Sequence, residues 1–130
     1  MFEIGGDYMD ADKTVWQSVY EHLAKEGFEV YSPGQHKGTC RSSYIVIKDA
    51  GNTRMTTIST DMCLYDVMCY VPMGQFSTLE PFVAKVKESL KKLYPLVKPT
   101  GYQTPSYLDD TNDSFMIAVQ YSNYKKVFYN

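Results

Sequence analysis

The chain has 130 residues, 44% of them apolar and 22% charged, with a formal net charge of −2 and a pI near 5.6. That length and composition suit one domain with a sizeable core and exclude long disorder, while the slight acidity argues against nucleic acid, which demands a basic stripe. No window reaches the ~18 unbroken apolar residues of a membrane-spanning helix, and residues 1–7 (Met-Phe-Glu-Ile-Gly-Gly-Asp) lack both the basic and the apolar region of a secretory signal.

The first predicted element is a helix over residues 10–26. Val15, Trp16, Val19, Tyr20 and Leu23 recur at spacings of three and four and make one apolar stripe. Asp10 and Asp12 stand where an N-terminal cap and the helix dipole favour acid. Lys25 and Gly27 are the stop signals. A short strand over 28–31 follows, then a loop over 32–38 with two glycines and a proline. Residues 43–48 (Ser-Tyr-Ile-Val-Ile-Lys) read as a strand covered on both faces. Residues 49–52 are expected to turn the chain, and 53–60, alternating around Met55 and Ile58, to form a partner strand.

Residues 64–71 give the clearest strand, with Tyr65, Val67, Cys69 and Val71 on one face and Asp66, Met68 and Tyr70 on the other. A second helix is predicted over 77–93. Ser77 and Glu80 fit a capping box, Pro81 sits in the tolerant first turn, and Leu79, Phe82, Val83, Val86, Leu90 and Leu93 form the buried stripe. Its lysines read as a solvated face. Residues 97–107 suggest a strand or extended arm, the acidic tract Asp109, Asp110 and Asp113 a tight polar turn, and 114–121 a last strand continuing toward Tyr124, with a tail prone to fray. One α+β domain over 1–130 results, in the order α-β-β-β-β-α-β-β: a mostly antiparallel or mixed sheet with two amphipathic helices on one face.

Chemistry-bearing residues are few. Cys40, Cys63 and Cys69 are odd in number and fit no zinc spacing, so they read as free thiols of a reducing compartment. His36 near Cys40 invites a nucleophile–base pair, but no third, orienting group is evident. His22 reads as a boundary or surface residue. The acidic tract lacks the alternation, central glycine and terminal glutamate of a calcium loop, and no phosphate-cradling glycine motif is present. No catalytic residue, metal or cofactor is expected. Twelve tyrosines suit either an interface or the faces of strands.

The segment order carries a resemblance. Residues 31–48 (Tyr-Ser-Pro-Gly-Gln-His-Lys-Gly-Thr-Cys-Arg-Ser-Ser-Tyr-Ile-Val-Ile-Lys), then Tyr65-Asp-Val-Met-Cys-Tyr70, residues 76–93 and residues 115–124 resemble, in that order, the small phage tail-completion or tail-terminator proteins, also called tail-to-head joining or minor capsid proteins. The resemblance spans nearly the whole chain; residues 99–113 and the many tyrosines have no counterpart in it. It implies an α/β subunit closing into a hexameric ring at the head–tail junction of a virion, folded in a bacterial host's cytoplasm, with the tail-tube and head-connector proteins as partners and no catalytic residues. A ring requires a head-to-tail surface whose rotation closes. The long 32–41 and 99–113 segments are the candidate contacts, through Tyr31, Pro33, His36, Lys37 and Arg41 on the first side and Tyr102, Tyr107, Asp109 and Asp110 on the second. The alternatives are that these are plain solvent loops, or that the chain is a small cytoplasmic ligand- or protein-binding module without catalysis.

Overall fold

A computed structural model describes residues 13–54 and 60–126. It shows an α+β fold: a mixed six-stranded sheet with two α-helices on one side. In chain order the elements are α1 (Val15–Lys25), β1 (Val30–Tyr31), β2 (Tyr44–Arg54), β3 (Thr60–Pro72), α2 (Leu79–Leu90), β4 (Lys98–Gln103), β5 (Tyr107–Asp109) and β6 (Ser114–Lys126). The strands lie side by side as β1-β2-β3-β6-β4, with β5 beside the other end of β6. Only β1 against β2 is parallel.

β3 and β6 pair along their whole lengths, from Thr60 opposite Lys126 to Pro72 opposite Ser114, and form the spine. The period-2 pattern sorts the faces. Ile45, Ile47, Val67, Cys69, Val71, Ile117, Val119 and Tyr121 face the helices and join Val19 and Leu23 of α1 and Leu79, Val83, Val86 and Leu90 of α2 in the main core. Each such aliphatic side chain contributes about 1.5–3 kcal/mol by leaving water. Tyr44, Val46 and Tyr70 point to the opposite face and form a second cluster with Cys40.

Several local expectations are corrected. The strand order among the described residues is α-β-β-β-α-β-β-β. Residues 49–52 do not turn the chain; β2 runs through them, with a bulge between Asp49 and Gly51 that Gly51 accommodates at φ 101°. Thr53 and Thr60 therefore belong to two long strands, and the expected strand centred on Met55 and Ile58 lies outside the described residues, as do Asp10, Asp12 and the tail beyond Lys126. The described N-cap of α1 is Thr14, whose hydroxyl accepts from Gln17 N (3.0 Å) while Gln17 Oε1 accepts from Thr14 N (2.8 Å), a full capping box. The Ser77–Glu80 box does not form, because residues Met73–Thr78 wind as a 3-10 helix and α2 starts only at Leu79. The 97–107 arm splits into β4 and β5, joined by Thr104, whose N–H donates to Ala118 O (2.9 Å) and whose Oγ1 accepts from Ala118 N (2.9 Å).

His22 ties α1 to α2. Ser89 O (2.9 Å) can only accept, so His22 Nε2 carries the proton. Ser89 Oγ in turn donates to Glu26 Oε1 (3.0 Å), which also takes Lys92 Nζ (2.8 Å). These bonds hold the Glu26 carboxyl below its ordinary pKa, Lys92 more than Ser89. Among the described residues no helix is long and apolar enough to cross a membrane.

Candidate assembly surfaces

The sheet has two unlike edges. On one, β1 pairs only with Ile45 and Val46, so no described strand lies beside β2 from Lys48 onward. Just before that stretch Ile47 O takes a hydrogen bond from Trp16 Nε1 (2.7 Å), and within it Gly51 N donates to Asp49 Oδ1 (2.8 Å). Side-chain contacts thus satisfy part of an otherwise open edge. Lys48, Asp49, Ala50 and Asn52 along it are exposed, and none is a large apolar residue.

The other edge, formed by β4 and β5, is apolar. Of the seven exposed large hydrophobic side chains among the described residues, at 39–64% exposure, Phe76, Tyr94, Tyr102, Tyr107, Leu108 and Tyr124 lie on or beside this flank, while Met73 follows the end of β3. Phe76 packs edge-on against Phe115 (4.7 Å), the residue opposite Leu108. At the far end Lys98 Nζ sits over the rings of Tyr94 (5.6 Å) and Tyr124 (5.5 Å). Exposed apolar groups gathered on one side, with a polar edge opposite, set this flank apart from singly scattered surface residues.

The sequence-predicted contact residues divide unequally between free and packed positions. Pro33, Lys37 and Arg41 are exposed on the 32–43 loop, but Tyr31 and His36 are drawn onto the second face of the sheet. His36 stacks on Tyr44 (4.0 Å, 10° between planes), Tyr44 stacks on Tyr70 (4.6 Å, 10°), and Tyr31 meets both His36 and Tyr44 edge-on. The loop also meets the acidic turn: Cys40 N donates to Asn112 O (2.8 Å) and Asn112 Nδ2 to Tyr44 Oη (2.6 Å). The two long segments therefore brace one another at one end of the sheet. On the second segment Tyr102, Tyr107 and Asp110 are exposed, whereas Asp109 is half-buried and is occupied within its own turn, accepting from Thr111 N (3.1 Å) and Thr111 Oγ1 (2.5 Å).

Sequence reasoning missed Leu108, Phe76, Tyr94 and Tyr124. The signal was the same for each: a large apolar residue off the buried stripe or alternation of its element. The catalytic idea finds no activating geometry. Cys40 is buried and donates to Ser42 O (3.3 Å); burial first, then the Glu29 charge, pushes its thiol pKa up, opposite to what a nucleophile needs. Cys69 is buried in the core with its pKa pushed to about 12. Among the described residues no group of three metal-ligating side chains converges. No family model matches the chain, and no curated protein matches its sequence.

Proposed function

We propose that the chain is a non-catalytic assembly subunit, a structural virion protein of a phage or prophage that completes the tail tube and joins it to the head as a ring. The observation that carries this reading is the one-sided apolar flank along β4 and β5, set opposite a polar sheet edge. A surface of that kind meets an unlike surface on the next copy. Such head-to-tail contacts close into rings when the rotation per copy divides a full turn. The likeness of residues 31–48, 65–70, 76–93 and 115–124 to tail-completion proteins supports the ring, and a hexamer is the copy number that likeness implies.

In this reading the β4–β5 flank docks on the β1–β2 side of the neighbour, near Lys37, Arg41 and the exposed stretch of β2. The tail-tube and head-connector proteins bind the two open faces of the ring. The exposed Asp110 and Asp113 of the acidic turn and the loop carrying Pro33 lie toward one end of the sheet, available to a partner above or below the ring plane.

Electron microscopy of the purified chain, alone and with the tail-tube protein, tests the proposal. Rings that cap tube ends are the expected image. Dispersed particles that leave tube ends bare would overturn it. Genes for portal, major capsid and tail-tube proteins on either side of the coding sequence are the expected genomic setting.

A further inference from the structure

A cavity of about 530 Å³ opens on the β4 flank, between the C-terminal end of α2 and β6. Leu90, Val97 and Val119 form an apolar floor, all nearly fully buried, and the exposed rings of Tyr94 and Tyr102 form the walls. The volume falls within the range of small-molecule sites. Lys87, Lys91, Gln103 and Tyr121 bring polar atoms to this lining, and two of them, Tyr121 and Lys87, carry the argument because they lack a partner among the described residues. Tyr121 is 4% exposed, yet its hydroxyl has no hydrogen-bond partner among the described residues. Lys87 has no ion-pair partner among them, whereas its neighbour Lys91 is held by Glu88 (3.1 Å).

A buried hydroxyl without a partner loses the hydrogen bonds it made to water, a cost that a ligand atom can offset. Burial pushes the Tyr121 pKa up to about 12, so the phenol stays protonated and available to donate. Tyr121 and Lys87 both line this one cavity, beside the apolar floor of Leu90, Val97 and Val119. An apolar body with one anionic oxygen group satisfies every part of this arrangement.

We propose that the cavity is a binding site for an amphiphilic acid, its hydrocarbon or aromatic body against Leu90, Val97 and Val119 and its carboxylate between the Tyr121 hydroxyl and the Lys87 ammonium. Neither a cation nor a purely apolar molecule uses both polar groups. The site goes beyond the assembly reading and stands without it: a monomer that binds such an acid keeps this inference and ends the other.

The test is calorimetric titration of the full chain with decanoate, 1-decanol and decylamine. Decanoate is expected to bind saturably, and about tenfold or more tightly than the alcohol, because a hydrogen bond to a charged group is worth more than one to a neutral one. Lys87→Gln and Tyr121→Phe are each expected to weaken decanoate several-fold more than they weaken the alcohol. As a second readout, methyl resonances of Leu90, Val97 and Val119 are expected to shift on adding decanoate to the unaltered protein. Equal binding of acid and alcohol, tighter binding of the amine, loss of neither in the variants, or methyl shifts elsewhere would each overturn the site.

Discussion

Tyr44 holds the second cluster together through two separable contributions, its ring and its hydroxyl. The ring lies between His36 and Tyr70, and the hydroxyl accepts from Asn112. Tyr44→Phe should cost about 1 kcal/mol for the lost hydrogen bond, and Tyr44→Ala about 3–5 kcal/mol for a large aromatic removed from a packed site, both read by denaturant unfolding. Glu29 adds a pH dependence. Its bonds to Tyr31 first and Ser42 second hold its carboxyl below the ordinary value of 4.5. A depressed carboxylate stabilises the fold at neutral pH, and that contribution is lost as pH falls through the folded-state value. Acidification below 4.5 should therefore release Tyr31, seen as a shift of its ring resonances, and Glu29→Gln should abolish that acid response. The long-range partnerships are not visible in local sequence, since Asn112 and Tyr44 stand 68 residues apart and Trp16 and Ile47 stand 31 apart. Periodicity could identify Val19, Leu23, Val83 and Leu90 as buried because burial of a helix stripe depends only on spacing.

At the scale of elements, legibility followed the strength of the repeat. Both helix stripes and the two faces of β3 matched their spacing. Boundaries failed where turn chemistry was ambiguous. Asp49-Ala-Gly-Asn52 has the composition of a turn, yet the long pairing of β2 with β3 carries the chain straight through it as a bulge. Gly51→Ala should cost about 1–2 kcal/mol, since an alanine is strained at that positive φ; thermal unfolding measures it. The Ser77–Glu80 pattern suggested a cap, but the 3-10 turn ahead of α2 moved the helix start two residues on. Thr14 and Gln17 carry a capping signature of their own, a Thr followed three residues on by a Gln. The arm over 97–107 was legible as extended, while its division between β4 and β5 depends on Thr104 reaching Ala118.

At the scale of the whole molecule, the sequence showed that long segments and many tyrosines needed a use, and the fold shows how they are distributed. The 32–43 loop is partly consumed by packing its own sheet, through Cys40 and through His36, which meets Tyr31 of β1. The surface left over is the apolar β4–β5 flank; Tyr102 and Tyr107 on it were legible as candidate contacts, while its place at the edge of the sheet depends on long-range strand pairing. Leu108, 55% exposed, is its most direct probe. Leu108→Glu should leave the stability of one subunit within about 0.5 kcal/mol while weakening any contact made by that flank. The account therefore turns on the mass of the chain in solution, measured by native mass spectrometry as concentration rises. It predicts one discrete species at the mass of a closed hexamer of 14.9 kDa subunits, reduced to monomer by Leu108→Glu. A monomer at every soluble concentration, or an oligomer indifferent to Leu108→Glu, would contradict it.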